Sequence, residues 1–363
     1  MYRDHTTGVV LPAYNEADHI GSVIGSMPQY VDRIYVVDDY SSDSTWDKIL
    51  EAAREDRAEQ LVEEADSDER ESPPAAADGG AFRTDGGGLL AERADVRDPV
   101  GRVVPIAHRE NMGAGGAIKT GYLTALYDEM DITVTMDGDG QMDPKYMPQL
   151  LDPLVEDEAD YAKGNRLLYK EYREDMPKFR FLGNSILTVL TKIASGYWKT
   201  MDPQNGYTAI SHYALENVGV ETMYEYYGYC NDLLVKLNAK GMRVADVAMP
   251  AIYGTEESSI TYREYVPKVS LMLLRDFSWR LKVKYFILDF HPLALFYLFG
   301  AGAGVLGLAG GIWSLYANFA LGDQLFVRAF ASLLMFMMGC MFVMFAMVFD
   351  MQANENREVQ VRR

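Results

Sequence analysis

The chain has 363 residues, 48% of them hydrophobic, a formal net charge of -19 and a pI near 4.7. With 53 Asp and Glu against 34 Lys and Arg there is no general basic surface to meet phosphates, which argues against a nucleic-acid partner. Such an acidic surface suits hydration in concentrated salt, where screening removes self-repulsion, and a halophilic source is expected.

Taken in chain order, residues 8–11 read as a short apolar strand ending at Pro12, and 18–26 as a helix with Ile20, Val23 and Ile24 on one face. Residues 33–37 form a second apolar strand, running into Asp38 and Asp39. Residues 103–107 predict a third strand, 114–127 a helix and 131–136 a fourth strand. Strand, loop and helix in repetition predict an α/β domain, Rossmann-like, with a mostly parallel sheet and helices on both faces. Ligands of such sheets sit outside the carboxyl ends of the strands, where the acidic loops of this chain gather. Residues 51–100 break the pattern with 15 acidic residues and 6 arginines. Roughly 64–98 is expected to be a disordered or loosely held insertion. Cys230 and Cys340 make neither a metal pattern nor a disulfide framework and are expected to be buried apolar residues.

The C-terminal part is of another kind. Residues 292–322 and 329–349 carry no charge, and each is long enough to cross a bilayer, which takes about 20 apolar residues. A short link makes them a hairpin, and Gly300, Gly304, Gly307 and Gly311 offer small-residue spacings for close helix approach. Arg275, Arg280, Lys282 and Lys284 precede the first span, and Arg357, Arg362 and Arg363 come after the second. Positive flanks stay inside, so both hairpin ends are expected in the cytoplasm. The N-terminal MYRDHTTG, without a basic region and long apolar run, agrees with that. The expected division is a catalytic domain over 1–255, interfacial amphipathic helices over 256–290, a membrane hairpin over 291–350 and a cytoplasmic tail over 351–363. The spans are expected near 293–316 and 329–349.

The stretch TVTMDGDGQMDP, residues 133–144, carries the chemistry. Asp137, Asp139 and Gln141 come after a strand at alternate positions. An EF-hand would need Gly where Met142 stands and Glu where Pro148 stands, so that reading fails. An Asp-x-Asp element can instead hold a divalent ion, Mg²⁺ or Mn²⁺, together with a bound diphosphate. The ion would neutralise the charge that builds on a leaving diphosphate. Upstream, VVLPAYNEADHI and YVVDDYSSDST each place a strand before polar residues. A carboxylate at a strand end can accept from a nucleobase or from ribose hydroxyls. Asp43 reads as a turn or cap residue. NMGAGGAIKTGY lacks the ending of a P-loop, and close helix packing is its expected role.

In this order the elements resemble glycosyltransferase family 2 with a GT-A fold, and within it the polyprenyl-phosphate (dolichol-phosphate) glycosyltransferases. The resemblance covers residues 8–50 and 101–255. It implies that Pro12, Tyr14, Glu16, Val37 and Asp39 line a nucleotide pocket, with Gly138 against the nucleotide. It implies Asp137, Asp139 and Gln141 as metal ligands, and Arg166 and Arg180 beside donor or acceptor phosphate. Asp202, Gln204 and Asn205, in MDPQNGYTAI, fall where the family has its acceptor loop. Basic residues common in the family are replaced here by Ala114 and Thr208, and YGTEESSI carries no arginine. There is no Gln-x-x-Arg-Trp element of the processive synthases.

The implied activity is inverting transfer of one hexose from a nucleotide-sugar to polyprenyl (dolichyl) phosphate at the cytoplasmic membrane face, feeding protein or surface glycosylation. UDP-glucose or UDP-N-acetylglucosamine is the favoured donor, and GDP-mannose stays open. A lipid monophosphate has its second pKa near roughly 6 and is already a nucleophilic anion at neutral pH. A hydroxyl acceptor on another lipid or glycan, the alternative, would need a general base, for which Asp202 and Asp232 are the candidates.

Overall fold

The computed structural model describes residues 1–67, 88–168, 178–250, 262–322 and 324–361. Its strands are β1 (Thr7–Ala13), β2 (Arg33–Asp38), β3 (Ala94–Val96), β4 (Val103–His108), β5 (Ile132–Thr135), β6 (Tyr161–Asn165), β7 (Thr208–Ser211), β8 (Val244–Ala248) and β9 (Glu358–Val361). They join in one sheet, ordered β3-β4-β2-β1-β5-β7-β6-β8-β9. All pairings are parallel except those of β3 with β4 and of β7 with its two neighbours. The mostly parallel α/β sheet expected from the sequence is present.

Both faces of the central strands are buried, which is why they read as unbroken apolar runs. Val9, Leu11, Val36 and Val134 face one core, under α1 (Ile20–Gly25), α2 (Thr45–Ser67) and α5 (Met147–Val155). Val10, Tyr35 and Val37 face the other, under α4 (Ala114–Tyr127), α7 (His212–Asn217) and α8 (Tyr229–Ala239). The chain winds outward from β1 through β2 to β4, then returns to β5 on the far side of β1. That reversal opens a crevice beyond the ends of β1 and β5, the usual place for a ligand in such a sheet.

Regular structure reaches into both ends of the segment expected as an insertion over 64–98. Helix α2 runs to Ser67, and α3 (Leu89–Arg93) leads into β3, which pairs with β4. Arg93 anchors this return: it is buried and its guanidinium meets Glu225 at 2.6 Å and the Thr120 hydroxyl at 3.3 Å. Residues 68–87 lie outside the described residues, as does the stretch 253–260.

After β8 come α9 (Tyr262–Lys282), a π-helical turn (Val283–Leu288), α10 (Leu293–Leu321) and α11 (Leu325–Asn354). Helix α9 buries Val269, Met272 and Leu273 against α6 (Lys178–Ser195) and α8, and leaves Leu271 and Leu274 exposed. Helices α10 and α11 are long and apolar enough to span a membrane. Only 28% and 11% of their most apolar windows are buried, too little for helices of a soluble core. Their seam differs from the expected one. Gly300 and Gly307 face α11, whereas a Cβ on Gly304 or Gly311 would meet open space. The partner is Gly339, whose added Cβ would lie 2.4 Å from the Gly304 nitrogen. Cys340, expected to be buried, is exposed on α11, while Cys230 is buried as expected.

The expected tail after the hairpin is in part built into the domain. Beyond α11, Glu358–Val361 add β9 to the sheet beside β8. A buried polar cluster fixes the same region. Arg280 on α9 pairs with Asp350 on α11 at 3.0 and 2.9 Å, and both are fully buried. The Tyr285 hydroxyl donates to Asp350 at 2.6 Å, and Asn238 on α8 donates to Asn354 at 3.0 Å. Both ends of the hairpin therefore meet the same sheet domain.

Candidate active site

A cleft of about 450 Å³ opens at the crevice, with Pro12 at the end of β1, Tyr14 and Glu16 after it, Asp39 after β2 and Asp137, Gly138 and Asp139 after β5 along its walls. A smaller pocket of about 80 Å³ shares Asp137 and Asp139 and adds Gln141, Arg166 and Asn205. The two carboxylates thus stand between a large space and a small one.

Two strand-end loops interlock to shape the first wall. Asn15, at φ +57, accepts from the Ser42 nitrogen at 2.9 Å, and the Glu16 nitrogen donates to the Thr45 hydroxyl at 2.8 Å. Asp43 accepts from the Thr45 nitrogen and hydroxyl and serves as the expected turn and cap residue. Gly138 must be glycine, because a Cβ would sit 2.8 Å from the Pro12 carbonyl oxygen. The glycines of NMGAGGAIKTGY serve packing. A Cβ on Gly115 would reach the Tyr224 carbonyl oxygen at 2.6 Å, and one on Gly121 would strike Val10 at 2.3 Å.

Two residues expected at the nucleotide stand differently. The Val37 side chain is buried in the core behind β2 and does not line the cleft, because alternation along a strand turns it inward. Asp39 lines the cleft, but its carboxylate is also bound by the chain itself. It accepts from the nitrogens of Met112 and Gly113, each at 2.8 Å, and contacts His108 Nδ1 at 2.7 Å. It therefore shapes the 111–113 wall as well as bordering the ligand space.

Around the pair, Gln141 donates its backbone nitrogen to Asp139 at 2.9 Å, closing a tight turn. Burial at the cleft floor, then the charge of Asp139, push the Asp137 carboxyl up to about 7, against the opposing pull of Arg166. Arg166 is gripped by Asp202 through Nε at 2.7 Å and Nη2 at 3.0 Å. Asp202 is fully buried at φ +49 and lines neither pocket. Burial alone would raise its carboxyl; Arg166 more than offsets this and holds it below the ordinary range. A carboxylate so committed is a poor general base, which removes Asp202 from that role. Asp232 is removed too: it is buried on α8, pairs with Lys236 at 3.0 Å and accepts from the Tyr224 nitrogen. Asn205 is buried and faces the small pocket, while the buried amide atoms of Gln204 have no hydrogen-bond partner among the described residues and line neither pocket. Arg180 lies in the first turn of α6, and its side chain is outside the described residues.

Residues 8–86 and 88–219 match the Glycosyl transferase family 2. The chain belongs to glycosyltransferase family 2. Within the family it is similar to a UDP-N-acetylglucosamine–dolichyl-phosphate N-acetylglucosaminyltransferase of Methanococcus voltae, 26% identical over 68% of this chain and 85% of that protein. An uncharacterised Methanocaldococcus jannaschii protein is 30% identical over 42% of this chain and 62% of its own length. Among solved structures, glucosyl-3-phosphoglycerate synthase of Mycobacterium tuberculosis, crystallised with Mn²⁺, UDP and glucosyl-3-phosphoglycerate, aligns at 18% identity and TM-score 0.47, over 77% of this chain and 81% of that one. S. aureus TarS with UDP-GlcNAc aligns at 12% identity and TM-score 0.40, over 97% and 92%.

In this family 2 glycosyltransferase the acidic pair fits a hard divalent cation. Among the described residues no three His, Cys, Asp or Glu side chains gather as a protein-only metal cage. Two carboxylates beside an amide and an open cleft suit Mg²⁺ or Mn²⁺, which take one or two carboxylates and complete their shell with substrate phosphate oxygens. A carboxyl that burial and a like charge push up also gains from a nearby cation. Sequence reasoning missed the opposite wall of the glycosyltransferase cleft, Asn111, Tyr226 and Tyr227. The only signal was the tyrosine cluster YEYYGY just before α8. Glu225 holds that wall in place, pairing with Arg93 at 2.6 Å and Lys119 at 2.9 Å.

Proposed function

We propose that this protein transfers a single hexose, with inversion, from a UDP-sugar to a polyprenyl (dolichyl) phosphate at the cytoplasmic face of the membrane. The observation that carries the reading is the Asp137–Asp139 pair set between a nucleotide-sized cleft and a small pocket lined by Arg166, on a domain that meets both ends of a hairpin of two apolar helices. The Methanococcus voltae relative supports a UDP donor and a dolichyl-phosphate acceptor, and UDP-N-acetylglucosamine or UDP-glucose is favoured over GDP-mannose.

Pro12, Tyr14, Glu16 and Asp39 would border the nucleoside, and Gly138 would let the diphosphate approach the sheet. Asp137, Asp139 and Gln141 would hold Mg²⁺ or Mn²⁺, which supplies positive charge to the leaving diphosphate. Arg166, oriented by Asp202, would stand beside the acceptor phosphate and reduce its repulsion from the donor. A phosphate oxygen then forms the new bond to the anomeric carbon as the bond from that carbon to the UDP oxygen breaks. The acceptor arrives as an anion, so the reaction needs no side-chain base. The engagement of Asp202 and Asp232 in ion pairs agrees with that. Alignment of the two substrates supplies much of the rate.

For the membrane, α10 and α11 would span the bilayer, and α9 with its exposed Leu271 and Leu274 would lie at the interface. Since both hairpin ends meet the catalytic domain, one orientation serves both. The positive flank supports the cytoplasmic side even though Arg280 is spent in a buried pair.

The test is transfer from labelled UDP-N-acetylglucosamine, UDP-glucose and GDP-mannose by purified protein, with and without dolichyl phosphate, and the product lipid identified by mass. A dolichyl-phosphate-dependent product with inverted anomeric configuration is expected. Asp139→Ala should lose at least about 100-fold in rate. Retained configuration, or full activity in Asp139→Ala, would sink the mechanism. Transfer only to a hydroxyl-bearing lipid or glycan would favour the alternative acceptor class.

A further inference from the structure

The loop that leads to the small pocket is held from an unexpected place. Glu358 opens β9, beyond both apolar helices in the chain. Its carboxylate accepts from three successive backbone nitrogens, Trp198 at 2.8 Å, Lys199 at 2.6 Å and Thr200 at 2.7 Å. The Thr200 hydroxyl adds a fourth contact at 3.1 Å. Consecutive N–H groups converging on one carboxylate form an anion nest, and bonds to an ionised acceptor are about twice as strong as neutral ones.

The residues immediately after Thr200 build the acceptor side of the site. The Met201 nitrogen donates to Asp246 at 3.0 Å, and its carbonyl oxygen accepts from Lys163. Next comes Asp202, which grips Arg166 from a left-handed backbone at φ +49. Such a conformation in a non-glycine residue is strained and persists only where its surroundings over-determine it. The Asn205 nitrogen returns to the Asp202 carbonyl at 3.1 Å, which sets Asn205 at the small pocket.

We propose that Glu358 is a positioning residue: from the strand beyond the membrane hairpin it sets the 198–205 loop, and through Asp202 the guanidinium of Arg166. Seating β9 in the sheet and shaping the acceptor pocket are then one event. The stretch entering Glu358 is itself pinned to the domain, by Asp350 on Arg280, by Asn354 on Asn238 and by Arg357 on the Gly241 carbonyl. The assignment of this pocket to the acceptor rests on the function proposed above.

The experiment uses full-length protein in detergent, comparing wild type with Glu358→Gln, Glu358→Asp and Thr200→Val. Glu358→Gln keeps the shape but presents an NH₂ to donors. Hydrogen exchange of the amides in 198–205 should speed up at least tenfold in Glu358→Gln, while the 137–143 turn and α4 keep wild-type exchange. KM for dolichyl phosphate should rise about tenfold, with UDP·Mn²⁺ affinity within twofold of wild type. Glu358→Asp should recover part of both effects, and Thr200→Val, which removes one contact, should show a smaller rise. Unchanged exchange in 198–205 overturns the proposal, as does an equal loss on donor and acceptor sides, the mark of general destabilisation. If wild type itself makes no dolichyl-phosphate product, the proposed acceptor fails, and the exchange readout still decides whether Glu358 sets the loop.

Discussion

Asp202 sits fully buried with its charge answered chiefly by Arg166, whose side chain is 28% exposed, and further by Lys163. Its folded-state carboxyl is held below the ordinary range. The stabilisation it gives is therefore complete above the unfolded carboxyl pKa, about 4, and fades as pH falls through the lower folded value. Asp202→Asn should cost about 2 kcal/mol at neutral pH, the worth of hydrogen bonds to a charged group. The difference in melting between the two proteins should close in acid, followed from neutral down to about pH 3; a gap that stays constant would show that the ion pair is not its source. At this scale the sequence was legible where residue type and strand end together dictate chemistry. Asp137 and Asp139 reach the cleft on that ground, and Pro12, Tyr14 and Glu16, which the family resemblance implied, line it too. It was not legible where a long-range partner decides, as with Arg166 on Asp202, since pairings across folded elements leave no local pattern.

Among elements, the α10–α11 hairpin shows how spacing alone misleads. Four glycines on α10 advertised a contact face; Gly300, Gly307 and the backbone of Gly304 meet α11, with Gly339 opposite, while a Cβ on Gly311 would meet open space. Gly339→Leu should destabilise the hairpin by about 1–3 kcal/mol, because a branched side chain would meet backbone. Gly311→Leu, in open space, should be tolerated, and melting of both variants in detergent tells them apart. A reversed order of sensitivity would place the seam elsewhere. The existence and length of both helices were readable from the absence of charge, but which of their faces meet depends on the partner helix.

For the molecule as a whole, the net charge of -19 makes self-repulsion a standing cost at low ionic strength. Molar KCl, with a screening length of about 3 Å, should raise the melting temperature. A melting temperature indifferent to salt would count against adaptation to concentrated brine. The alternating βαβ pattern sufficed for sheet type and for the edge where the site lies, because parallel strands bring their carboxyl ends to one edge. It did not reveal β9, a short strand that both apolar helices separate in sequence from its partner β8.

That last strand has a consequence for biosynthesis. A ribosome delivers residues in order, so β8 waits with an unpaired edge until residues 358–361 emerge, later than α10 and α11. The nascent chain completes its sheet only once both apolar helices have been made. Translation halted just short of Glu358 would leave a protein whose sheet was never closed.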